Sequence, residues 1–250
     1  MHLICQHLKG NRSGAILVLP LFWSHTHDTE GFFMMSQKTK KLCIVAMLCA
    51  LAFLVMAVIR IPVVLFLKYE PKDVVITIGG FLFGPLSSFL ISFLVSIVEM
   101  FTVSDTGIIG CIMNILSTCA FSCTAALIYK RKRTLGGAAI GLAAGTLFMT
   151  LVMLLWNYLI TPLYMGYPRQ AVAELLIPAF LPFNLLKGGL NAAFTMLLYK
   201  PVVSALRKAN LLPKPEEDAP KGKFRPGVVL FCFLLLVTCV LLILVMQGKI

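Results

Sequence analysis

Residues 42–59 read LCIVAMLCALAFLVMAVI, with Lys38, Lys40 and Lys41 just before them and Arg60 and Pro62 just after. No charged or amide side chain interrupts the run, and about 20 such residues in a helix cross the hydrocarbon core of a bilayer. The rest of the chain is built the same way. Of its 250 residues, 59% are apolar and only 13% charged, with a mean hydropathy of +0.93. Soluble domains carry roughly a quarter charged residues, so this composition cannot cover a water-facing surface, nor does it suit disorder. The sequence is that of a polytopic membrane protein with room for about six or seven helical crossings.

Working outward from that first span, Ile61–Asp73 reads as a loop with an apolar stripe, closing on Lys68-Tyr69-Glu70-Pro71-Lys72-Asp73. A second span starts near Val74 and is broken at Gly84-Pro85, because proline fits poorly inside a helix. A third covers Leu86–Val103 and carries Glu99. A fourth runs from Ile108 to Tyr129 and stops at Lys130-Arg131-Lys132-Arg133, and a fifth covers Ala138–Leu163. The sixth begins after Pro182 and runs to Val203, with Arg169–Leu181 a partly helical connector. A seventh apolar run, Val228–Met246, follows the charged linker KPEEDAPKGKFRPG and reads as an added anchor.

The formal net charge is +12. In a soluble chain that balance would point to nucleic acid; here the basic residues sit in short runs between apolar spans, the pattern of cytoplasmic loops facing anionic lipid. Placing the Lys38–Lys41 end inside puts Lys130–Arg133, Lys200, Arg207, Lys208 and the 214–225 tail inside too, with both ends of a six-span core on the same side. Residues 1–35 read differently. Ala15–Trp23 is too short to span and contains Pro20, no small-residue cleavage site follows, and Met34-Met35 stands where such a protein typically begins. The division is therefore a 1–35 extension, a 36–208 membrane domain, a 209–227 cytoplasmic linker and a 228–250 seventh transmembrane helix.

Several chemistries are not signalled. The eight cysteines lie mostly within apolar stretches without a CxxC, and all four histidines precede residue 30, so neither a disulfide framework nor a zinc site is expected. There is no GxxxxGK[ST], HExxH or GxSxG. No enzyme and no cofactor is expected.

Ionisable groups within or at the edge of a membrane are functional candidates, since lipid exposure costs about 3 kcal/mol each. The outer half holds Arg60, Lys68, Glu70, Lys72, Asp73, Glu99, Asp105, Arg169, Glu174 and Lys187. Lys72, Asp105 and Arg169 are expected to be loop charges in contact with water. Lys187 differs: Asn184, Lys187 and Asn191 are spaced i, i+3, i+7, one stripe of a helix, while Gly188 and Gly189 allow close approach to the backbone. Such a row of amide, ammonium and amide suits a hydroxyl- or carbonyl-bearing solute. The plain alternative is a lysine snorkelling to the interface beside two packing amides. Asn114, Asn157 and Glu99 are further candidates, and Tyr69, Phe66, Trp156, Tyr158 and Tyr164 offer aromatic surface at the same level. Ala46 and Ala50 present small residues one turn apart, a stripe against which another helix can lie.

Taken together, the Ala46/Ala50 pair, LKYEPKDVVITIGGFLFGPL (67–86), GIIGCIMN (107–114) and PFNLLKGGLN (182–191) resemble the riboflavin-binding S components of energy-coupling factor (ECF) vitamin transporters, over residues 36–208. The resemblance implies an all-α integral membrane protein with a six-helix S-component core, here carrying a seventh C-terminal transmembrane helix. It implies capture of riboflavin from outside a bacterial plasma membrane, under a lid formed by the loop between the first two helices. It further implies delivery inward with a transmembrane coupling subunit, contacted by Ala46 and Ala50, and two cytoplasmic ATPases. Riboflavin is cargo in that scheme, and no nucleic acid is involved. Asn184, Lys187 and Asn157 take the part of flavin-contacting residues by the same resemblance; Tyr69, Glu99, Asn114 and Asn191 are added by position. An S component for pantothenate, folate or thiamine, or a carrier working alone, are the alternatives.

Overall fold

The computed structural model describes residues 37–65, 67–104, 106–166, 168–212 and 226–248. The expectations for 1–35, for most of the 209–227 linker, for Phe66 and Asp105, and for the Tyr164 side chain lie outside the described residues. Helix α1 (Gln37–Val58) leads into a two-stranded antiparallel hairpin, β1 (Ile61–Val64) and β2 (Leu67–Tyr69), and then into α2 (Lys72–Phe83). Five further helices follow: α3 (Pro85–Thr102), α4 (Gly107–Arg131), α5 (Leu135–Met165), α6 (Arg169–Leu175) and α7 (Leu181–Lys208). A π-helical turn over Leu176–Phe180 joins α6 to α7, and α8 (Pro226–Met246) closes the described chain.

Among the described residues, six helical stretches are long and apolar enough to cross a membrane; α6, the π turn and α7 count as one. The sixth span therefore starts at Arg169, before Pro182, because the π turn lets the chain stay helical past Pro178 and Pro182. Ile61–Val64 and Leu67–Tyr69 are paired strands where a loop is expected. Ile61 pairs with Tyr69 and Val64 with Leu67, with a bulge between Pro62 and Val64.

Each helix sits where its smallest or most apolar stripe sends it. In α1 the buried residues are Ile44, Leu48, Ala52 and Met56, one per turn, and the first three pack toward α2 and α3 through Val75, Ile76, Ile91 and Val95. Ala46 and Ala50 fall on the opposite, exposed side. α4 and α5 approach closely because Gly141 and Gly145 lie one turn apart: a Cβ there would come within 2.8 Å of the Ala125 carbonyl and 2.6 Å of the Phe121 carbonyl. At Gly84 the backbone turns with φ of +93°, a left-handed value that a side chain would strain. Pro85 then opens α3, where its missing N–H costs nothing.

α2 is twelve residues long, about 18 Å at 1.5 Å per residue, too short to cross alone. It begins inside the protein, with Lys72 1% and Asp73 0% exposed, and ends beside Lys41, whose ammonium lies 5.8 Å from the centre of the Phe83 ring. Lys130 and Arg133 border the same end as Lys41 and Phe83, so the basic clusters at the start of α1 and the end of α4 meet.

Candidate ligand-binding site

A cavity of about 280 Å³ lies between the hairpin and helices α3, α4, α5 and α7, close to the lower end of the roughly 300–1,000 Å³ usual for small-molecule sites. Its apolar walls are Leu67 from β2, Ile109 and Met113 from α4, Met153 and Trp156 from α5, and Phe183 from α7. Its polar lining comes from Arg60, Lys68 and Glu70 around the hairpin, Glu99, Ser104, Thr106, Asn114 and Ser117, Asn157 and Thr161, and Asn184 and Lys187.

Six charged side chains organise one side of it. Glu99, 3% exposed, accepts from Arg60 Nη2 at 3.2 Å and from Asn114 Nδ2 at 3.0 Å, while its second oxygen pairs with Lys72 Nζ. Lys72 also reaches Glu70 at 2.8 Å, and Arg60 Nε lies 3.1 Å from the same carboxylate. Lys72 was expected in water. It is instead buried, because Glu99, 27 residues further on, supplies the counter-charge that lets it leave solvent.

The second set centres on Asp73. It accepts from Thr118 Oγ1 at 2.7 Å and Asn191 Nδ2 at 3.2 Å, and pairs with Lys187 Nζ at 3.3 Å. Asp73 lies in the first turn of α2, where a helix favours negative charge. Lys187 also donates to Ser117 at 3.4 Å. Tyr69 OH donates to Asn191 Oδ1 at 3.1 Å. Burial first, and then the Asp73 carboxylate, push the Tyr69 ionisation up, so the phenol remains a donor at neutral pH. Hydrogen-bonded side chains thus run from β2 through Asn191 and Asp73 to Lys187.

The expected stripe on the sixth span is therefore divided. Asn184 and Lys187 line the cavity, together with Asn157, Asn114 and Glu99. Asn191 and Tyr69 do not; both are buried behind it. Asn157 and Asn184 each donate to the carbonyl one turn earlier on their own helix, at 2.7 Å to Met153 and 2.7 Å to Phe180. The Asn157 oxygen accepts from Thr161 at 3.0 Å. Among the aromatics, Trp156 faces the cavity, whereas Tyr158 is 38% exposed and lies under the Arg169 guanidinium at 5.7 Å. Arg169 is exposed, at the first position of α6 rather than in a loop.

Arg60 and Glu70 stand only among the general ionisable candidates of the outer half, and Ser117, Thr161, Met113 and Phe183 have no ligand role in the sequence reading. Thr161, one turn after Asn157, could have been found by helical spacing. The serines and methionines carry no signal above background in a membrane helix. Among the described residues no group of three His, Cys, Asp or Glu side chains could hold a metal ion.

This combination of apolar walls, one indole and a polar side built on paired charges suits an organic molecule with a flat apolar body and hydrogen-bonding edges. Residues 40–199 match the family described as ECF transporter, substrate-specific component. The chain belongs to that family. A riboflavin transporter of Staphylococcus aureus, RibU, is 29% identical over 182 residues, 69% of this chain and 95% of that protein. Another from Bacillus subtilis, FmnP, is 28% identical over 189 residues, 70% of this chain and 99% of that one. A solved S component of a bacterial ECF transporter matches with a TM-score of 0.58 and 28% identity, covering 68% of this chain and 99% of its own. The S component described here is a membrane transport protein.

Proposed function

We propose that this S component binds riboflavin in the cavity between the hairpin and α3, α4, α5 and α7, and passes it inward as the capture subunit of an ECF transporter. The observation that carries the reading is the wall that Asn157, Asn184 and Lys187 share with Trp156: amide and ammonium groups at the edge of an aromatic slot, matched to the carbonyl and ring-nitrogen edge of a flavin. The relatives named as riboflavin transporters support the choice of ligand. Protein purified in detergent from riboflavin-containing medium should show a flavin absorption spectrum near one equivalent, released on denaturation. A colourless protein that also fails to quench added riboflavin fluorescence would turn the assignment to another vitamin.

Delivery inward requires partners: a transmembrane coupling subunit and two cytoplasmic ATPases. The coupling subunit is assigned to the exposed face of α1, where Ala46 and Ala50 leave a flat surface opposite the buried Ile44–Met56 stripe. Ala46→Trp with Ala50→Trp should abolish uptake in cells and leave riboflavin binding to the isolated subunit intact; loss of binding would place that stripe inside the protein. The basic end formed by Lys41, Lys130 and Arg133 is assigned to the cytoplasm of a bacterium by the positive-inside rule, which puts the hairpin and cavity mouth outside.

A further inference from the structure

α8 lies beyond the stretch shared with the family, which ends at Tyr199; 68% of this chain already accounts for 99% of the solved relative. Most of α8 is exposed, and its buried residues are Cys232, Cys239 and Ile243. Cys239 and Ile243 are one turn apart and point into the protein at a particular place. They join an apolar cluster with Val63 and Leu67 of the hairpin and Phe183 of α7, and Leu67 and Phe183 also line the cavity. One turn beyond Ile243, the Gln247 side-chain amide donates to the Pro62 carbonyl of β1 at 2.5 Å. The other end of the contact is on α7, where a Cβ at Gly189 would sit 3.4 Å from Cys239 Sγ. α8 is therefore held by a helix that forms the cavity wall, and reaches from it to the outer strand of the hairpin.

We propose that α8 is a strap on the hairpin, and that Ile243 and Gln247 are positioning residues that set how long a bound ligand stays. Neither touches the cavity. They fix β1, whose partner strand β2 places Leu67 and Lys68 over the ligand. A hairpin that opens more often releases ligand faster. The inference rests on the riboflavin reading for its ligand alone.

The test uses the full chain. Riboflavin dissociation is followed as recovery of quenched flavin fluorescence in Ile243→Ala, Gln247→Ala and the double variant, with Leu241→Ala, exposed on α8, as control. Release should accelerate about tenfold in the double variant, the scale of one lost hydrogen bond and its packing, with association within about twofold. Gln247→Lys, which keeps a donor, should restore slow release, and the control should match the parent chain. Hydrogen exchange across residues 61–69 in ligand-free protein gives a readout independent of the ligand's identity. Faster exchange in the double variant supports the strap; unchanged exchange overturns it, whether or not riboflavin binds. Gln247 lies outside the apolar cluster, so the exchange pattern of Gln247→Ala stands even where Ile243→Ala lowers the yield of folded protein.

Discussion

α2 and α8 use the same kind of backbone for opposite purposes. α2 has twelve residues and buries ten of them, including Lys72, Asp73 and Thr77; α8 has twenty-one and buries three. Lipid accepts a leucine-rich helix without any partner, so α8 can leave most of its residues exposed. A helix that opens on a lysine and an aspartate cannot face lipid, and it must be surrounded by protein on all sides. The polar helix is therefore the one whose neighbours are most tightly specified. Thr77 bonds Ser122 of α4 at 2.7 Å, Ser88 of α3 donates to the Ile76 carbonyl at 3.3 Å, and Asp73 joins α4 to α7.

That contrast can be broken by substitution. Asp73→Ala would leave Lys187 buried without its carboxylate and strand Thr118 and Asn191, a loss of about 3–5 kcal/mol. Thermal unfolding in detergent should show it, and Asp73→Ala with Lys187→Met should regain part of the loss. Full recovery of riboflavin binding in that double variant would contradict the placing of Lys187 in the site. Lys72→Met should cost somewhat less, about 2–4 kcal/mol, since Arg60 still compensates Glu70 and Glu99; adding Glu99→Gln should soften it.

Gly80→Val sharpens the comparison through packing alone. A Cβ there already lies 3.0 Å from the Ala126 methyl and meets the Ser88 hydroxyl, so overpacking should cost about 1–3 kcal/mol. Tyr69→Phe removes a single buried hydrogen bond, worth about 1 kcal/mol, measurable as a modest fall in melting temperature. At the other extreme, Leu234→Ala on the exposed side of α8 should stay within about 0.5 kcal/mol. A cost there equal to that of Tyr69→Phe would mean α8 is packed on a face the structure leaves open.

The same contrast explains what could be read from the sequence. Apolar runs located α1, α3, α4, α5 and α8, and Gly84-Pro85 marked the turn between α2 and α3, because lipid imposes a composition that needs no knowledge of neighbours. Asn184 and Lys187 were legible because helical spacing alone puts them on one face. Lys72 was not: its burial depends on Glu99 and Glu70, and no local pattern announces a counter-charge that arrives from another helix. Asn191 shares the helical stripe with Lys187, but whether it meets a ligand or another side chain was decided by Tyr69 on the hairpin. The hairpin itself rests on strands of four and three residues, too short for alternation to stand out from an apolar loop.

The charges around the cavity have an electrical consequence. Arg60, Lys72 and Lys187 pair with Glu70, Glu99 and Asp73, so these six formal charges cancel, while Lys68 on the cavity wall adds one further positive charge. Moving one unbalanced charge across a membrane held at 100 mV takes about 2.3 kcal/mol. A cluster that sums to zero takes none, and an uncharged cargo leaves that sum unchanged. Whatever rearrangement carries the cargo inward, these six paired groups ask nothing of the membrane voltage, and what dependence this side of the cavity has falls to Lys68.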